Sequence, residues 1–316
     1  MTNVREVGSP RNPFPIAPTA RVGRFLDLAR VYGCINDQWK RRWGGEMPGD
    51  CFRGVDKETY CLNPSLLRYP HFQGMLRMGL RENNLWQEFR RRTIPFLGRS
   101  ITPSWECMCV MQQHGLPTRL LDWSRSLAVG AYFAVRDIHD HQDGAVWIMA
   151  AKHLLELRGL NGCWRLSSDY PLLAALAMRD NDEGLDKFNA ETPVVLDPDR
   201  LAPRLVAQKG LYSVHSFRSF SLEELATADR KEHGDACFLH KIVVPGQAKN
   251  DLRSDLFALT GTSEETLFPD MDGFARDYNS ESWLRATGQL GPDEVHCPAV
   301  AALQEPPAPK KATSSG

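Results

Sequence analysis

Long apolar runs are missing from this chain: none approaches the roughly 18 residues that a membrane-spanning helix requires. Residues 1–20, with Pro10, Pro13, Pro15 and Pro18, are too polar and too rich in proline for the core of a signal peptide. An excess of one charge is also lacking. Lys and Arg number 38 against 39 Asp and Glu, so no global field advertises nucleic acid or a membrane surface. The eight cysteines are scattered without a C-x-x-C pair, and Cys107-Met108-Cys109 lacks the second pair that a zinc site needs. No phosphate-cradling P-loop, dinucleotide glycine fingerprint, metalloprotease helix or nucleophile elbow occurs. These absences predict a soluble, cytoplasmic protein with packing cysteines, no metal and no membrane partner.

What is present is enough chain, 316 residues, for a substantial core. Apolar spacing near 3.6 predicts helices over 21–32, 82–97, 104–114, 125–137, 171–180 and 251–260. Short β-prone runs predict strands over 50–53, 118–122, 144–150, 210–216 and 237–244. Helices come early and strands are distributed, so the expected class is α+β, one domain with a central mixed or antiparallel sheet flanked by helices. Residues 1–20 read as an irregular arm, 21–300 as the domain and 301–316 as a disordered tail.

The densest chemistry lies at Met111-Gln112-Gln113-His114-Gly115-Leu116-Pro117-Thr118-Arg119-Leu120-Leu121-Asp122-Trp123-Ser124, where polar groups are threaded through an apolar element. Buried charges are costly unless paired, so an Arg, an Asp and a His so close together point to a site rather than to core alone. Far upstream, Cys51-Phe52-Arg53-Gly54 sets an Arg between an aromatic and a glycine. The plainer readings stand beside these. Arg53 pairs with Asp122 across neighbouring strands, His114 meets the carbonyls of a helix end, and Arg119 is either a solvated strand residue or a phosphate ligand. Tyr132 and Phe133 are core, and Glu264 and Glu265 are first-turn or loop acids. Two basic runs, Lys40-Arg41-Arg42 and Arg90-Arg91-Arg92, are interleaved with Trp39, Trp43, Trp86 and Phe89. They read either as solvated faces of amphipathic helices or as a surface for single-stranded nucleic acid.

Taken in order, these pieces resemble the FRG domain, a family named for its Phe-Arg-Gly. Asn63-Pro64-Ser65-Leu66-Leu67-Arg68, the helix with Glu82, Leu85 and Phe89, and Pro203-Arg204-Leu205-Val206-Ala207-Gln208-Lys209-Gly210 are similar to further segments of the family. So is Thr266-Leu267-Phe268-Pro269-Asp270-Met271-Asp272-Gly273, and the resemblance spans roughly 50–280. Departures lie in Met111-Gln112-Gln113-His114-Gly115 and in the insert over 153–200. The motif order also resembles the arginine–serine–glutamate arrangement of mono-ADP-ribosyltransferases. That likeness implies NAD as substrate, either transferred as ADP-ribose to a protein or nucleic acid or simply hydrolysed. It assigns the catalytic carboxylate to Glu264 or Glu265, on a strand ending at Pro269, to stabilise an oxocarbenium-like state. It further implies a dinucleotide site at Arg53, Gly54, His114, Thr118, Arg119, Asp122, Ser124 and Tyr132. In that site Arg53 grips pyrophosphate, Gly54 admits the backbone, and Tyr132 or Trp123 stacks on the nicotinamide. The alternative is a binding module without catalysis that takes a nucleotide, a nucleic acid or a protein through Arg53, Arg119 and the basic helices.

Overall fold

The structure, a computed structural model, describes residues 16–46, 48–68, 75–97, 105–137, 140–157, 166–167, 192–200, 202–216 and 220–278. The helix predicted over 171–180, the tail over 301–316 and most of the arm over 1–20 lie outside them.

The described strands form one eight-stranded mixed sheet. In chain order they are β1 (Ala20–Arg21), β2 (Asp50–Val55), β3 (Leu120–Ser124), β4 (Gly144–Ala150), β5 (Leu166–Ser167), β6 (Val194–Asp197), β7 (Gly210–Val214) and β8 (Leu239–Val244). Their spatial order is β1-β8-β4-β2-β3-β7-β6-β5, with the two edge pairs parallel and every inner pair antiparallel. Helices surround the sheet: α1 (Phe25–Arg42), α2 (Met75–Leu97), α3 (Trp105–Gln113), α4 (Leu127–Ala134) and α5 (Lys152–Glu156). Later in the chain come α6 (Pro203–Ala207), α7 (Leu222–His233), α8 (Lys249–Thr260), α9 (Glu264–Leu267) and α10 (Met271–Tyr278). The α+β class is thereby established.

Two apolar clusters hold the layers together, and period-two alternation along the strands divides residues between them. On β3, Leu121 and Trp123 join the cluster beneath α1 and α4, whereas Leu120 joins the one beneath α2 and α3. Asp122 shares the parity of Leu120 and so stands on the α3 side. The aromatics of the basic runs go to these cores as well. Trp39, Trp86 and Phe89 are buried, so these rings are not base-stacking platforms. Arg42 is bound at 2.9 Å by Asp229, while Arg91 and Arg92 reach back to Glu88 on their own helix.

Strand β3 starts two residues later than its predicted 118–122. Thr118 is drawn out of the ladder, because its N–H donates to Ser65 Oγ and its Oγ1 accepts from Leu120 N. The shift brings Ser124 opposite Phe52, which is the single register pair joining β2 to β3. Beyond that pair the two strands part. A cleft opens in the middle of an otherwise continuous sheet.

Helix α4 closes one side of the cleft by lying directly on β2. A Cβ at Gly54 would overlap the Gly130 carbonyl oxygen and the Ala134 backbone nitrogen, and one at Gly130 would come within 2.9 Å of Phe52 Cβ. Gly54 therefore serves the approach of a helix, where the family likeness implied the approach of a dinucleotide. Gly54→Ala is expected to push α4 off the sheet at a cost of about 1–3 kcal/mol or more. Chemical denaturation of the variant checks it.

Candidate functional site

The cleft between β2 and β3 widens into a cavity of about 300 Å³, walled by β2, β3, α3, α4, α6 and the turn after α9. Its wall carries three guanidiniums (Arg53, Arg136, Arg204), three amides (Gln112, Gln113, Gln208) and the rings of Phe52, Trp123, Phe133 and Phe268. Convergent polar groups among aromatic walls are the usual make-up of a small-molecule site.

Arg53 spans the gap. Its Nη1 donates to the Asp122 carbonyl oxygen at 2.8 Å and lies 3.7 Å from Asp122 Oδ2. Its Nε is buried and makes no hydrogen bond among the described residues. Burial, above all, pulls the guanidinium below its ordinary pKa; the Asp122 carboxylate opposes this and Arg68 adds to it. Behind it, Trp123 Nε1 donates to Ser213 Oγ at 3.0 Å, and Ser213 Oγ lies 2.9 Å from His215 Nε2. Burial, with the Arg53 charge adding, lowers the His215 pKa to about 3, so this imidazole is neutral and braces the wall without competing for anions. Residues two apart on an extended chain share a face, which is what brings Ser213 to His215.

The other two guanidiniums are tied to carboxylates. Arg136 Nη2 donates to Glu264 Oε1 at 2.7 Å, and Arg204 is bound to Asp270. Both also face the Phe268 ring, at 4.9 Å and 5.4 Å from its centroid, and Phe133 meets the same ring edge-on at 6.1 Å. Phe268 is thus a cation–π hub that ties α4, α6 and the turn after α9 around the cavity.

Of the residues expected in the site, Arg53, Gly54, Asp122 and Ser124 stand on the cavity wall. Ser124 is turned inward to the chain, donating to the Gln208 carbonyl at 2.7 Å and accepting from Ser126 N at 2.9 Å. The rest lie elsewhere. His114 is exposed at the end of α3. Thr118 is buried and reaches the wall only through its hydrogen bond to Gln112. Arg119 is neither solvated nor a phosphate ligand: its side chain is 1% exposed and bound at 2.7 Å to Glu82, itself 1% exposed. Tyr132 offers no ring for stacking, being fully buried with its hydroxyl donated to Glu264.

The two glutamates need the larger correction. The segment expected as a strand is the helical turn α9, opened by a capping box between Ser263 and Thr266. Glu265 is exposed. Glu264 is buried behind the wall and takes hydrogen bonds from Tyr132, from Arg136 and, at 2.6 Å, from Arg276. Burial alone would push its carboxyl up; these three donors overcome that and leave the pKa below its ordinary value. The wall residues that had been passed over, Gln112, Arg136, Arg204, Gln208 and Phe268, left one signal. Arg204, Gln208 and Phe268 fall inside segments that resemble the family, and Gln112 lies in the polar run over 111–124.

The stretch from residue 50 to residue 143 matches the family model of the FRG domain. That match assigns residues 50–143 to the FRG domain. The match opens at the first residue of β2 and ends one residue before β4, so it supplies Arg53, Gln112, Asp122 and Arg136. The cavity is completed by Arg204, Gln208 and Phe268 from beyond the matched stretch. No curated protein matches the chain, and no solved structure does.

Proposed function

We propose that the cavity binds NAD, and that the protein transfers ADP-ribose from it to a macromolecule or hydrolyses it. The observation that supports this is the convergence of Arg53, Arg136 and Arg204 with Phe133 and Phe268 around one cleft. Guanidiniums stay charged and donate in a fork that suits phosphate, while the rings suit a planar base. A volume near 300 Å³ takes one nucleotide half of a dinucleotide and leaves the other half in the cleft mouth. A second reading, binding without catalysis, is favoured by one specific fact: Glu264 already serves three donors behind the wall.

Incubating the protein with labelled NAD, water and candidate protein or nucleic-acid acceptors separates the two. Nicotinamide release supports transfer or hydrolysis; NAD binding without release leaves the binding module; no binding removes both for this ligand. Arg53→Ala is expected to weaken NAD binding by about tenfold or more, the loss of a charge-assisted hydrogen bond. The same change is expected to cost no more than about 1–3 kcal/mol of stability, because its partner Asp122 is 52% exposed and stays hydrated. Calorimetric titration and a thermal melt of the variant check the two halves.

A further inference from the structure

Asp122 is the one carboxylate that the described cavity wall presents. Its side chain is 52% exposed, against 5% for Glu264. Both of its described contacts fall on one oxygen, Oδ2, which accepts from Gln112 Nε2 at 2.8 Å and lies 3.7 Å from Arg53 Nη1. The Gln112 amide is itself oriented, since its Oε1 accepts from Thr118 Oγ1, which in turn accepts from Leu120 N. A backbone-anchored relay therefore points an amide N–H at Oδ2, while Oδ1 takes no hydrogen bond among the described residues. Held open to solvent by an apolar strand and a relay of polar groups, this carboxylate is placed as a functional group is, with its support behind it.

We infer that Asp122 is the catalytic carboxylate of this site, acting on the ribose of a bound nucleotide glycoside. This rests on the NAD reading above and replaces Glu264 in it. With NAD, the ribose C1′–N bond breaks heterolytically and its electron pair stays on nitrogen, so the pyridinium leaves as neutral nicotinamide. The cationic character that develops at the ribose faces the Asp122 charge, an interaction that grows only toward the transition state. The oxygen of water, or of an acceptor hydroxyl, forms the new bond to C1′. Its proton passes to the Asp122 carboxylate and from there to solvent. Arg53, beside Asp122, keeps the phosphate of the same ligand in register.

The test compares the full-length wild type with Asp122→Asn and Asp122→Glu. Nicotinamide release from NAD, NAD affinity by calorimetry and a thermal melt are read on each. Asp122→Asn is expected to keep the wild-type melt and to bind NAD as tightly or more tightly. It is expected to release nicotinamide about 10²-fold more slowly or worse, the scale of losing one electrostatic stabiliser. Asp122→Glu is expected to recover part of the rate. Wild-type release that persists undiminished in Asp122→Asn overturns the assignment of Asp122 and leaves the NAD reading standing. A wild type that releases no nicotinamide with water or any acceptor overturns both.

Discussion

Replacing Glu82 with alanine is expected to lower the unfolding free energy by about 3–5 kcal/mol, the range for breaking a buried ion pair from one side. Glu82 on α2 and Arg119 ahead of β3 are each 1% exposed, and Nε and Nη2 of the guanidinium donate to the carboxylate at 2.7–3.2 Å. Deleting the acid leaves the guanidinium in the interior without the charge that faces it, where water does not replace it. The pair also locks α2 to the residue that leads into β3, so the loss reaches the cavity's floor. Denaturant unfolding of Glu82→Ala and Glu82→Gln measures it. A change below about 1 kcal/mol, the range of exposed pairs, would overturn the assignment of this ion pair as a structural lock.

Glu264→Gln is expected to cost less, about 1.5–3 kcal/mol, and to act locally. Its partners Arg136 and Arg276 are 41% and 44% exposed and recover hydration when the charge is removed. What is lost is the tie that holds residues 264–278 against α4. Acid reaches the same tie. The folded pKa of Glu264 lies below its ordinary value of 4.5, so its stabilisation is complete above that value and is lost as pH falls through the depressed one. Asp270, hydrogen-bonded by Arg204 and by Gly273 N, is lowered to about 2, so the second tie releases later on the same acid limb. Amide hydrogen exchange over 264–278 is expected to rise as pH is lowered from 4.5 toward 2, after correction for intrinsic exchange. In Glu264→Gln it is expected to be fast already at pH 7. Protection unchanged in the variant would mean that the turn after α9 is held by the Arg204–Asp270 pair and Phe268 packing without Glu264.

Local signals in the sequence were sufficient for a good part of the protein. The α+β class followed from alternating and 3.6-spaced apolar residues, and β4 was read with its observed bounds because Gly144–Ala150 is apolar throughout and buried on both faces. Phe52-Arg53-Gly54 marked the strand that carries the site, and Asp122 marked its partner. Some local signals went unread. Ser221 and Glu224 form a capping box that opens α7, and Ser263 with Thr266 does the same for α9, where a strand was expected.

Other features were never local. Whether Arg119 or Arg53 meets solvent depends on a strand register that Thr118 shifts by hydrogen-bonding to Ser65, 53 residues away. Which acid reaches the cavity depended on packing between α4 and α9: Tyr132 and Arg136 take Glu264, 128–132 residues distant in sequence, and leave Asp122 on the wall. Sequence alone determined which elements form and which charged residues needed partners, because periodicity and desolvation act on each segment by itself. Tertiary structure alone decided which of those charges are neutralised in the interior and which face a ligand. That outcome depends on where β2 and β3 part, and no single segment contains it.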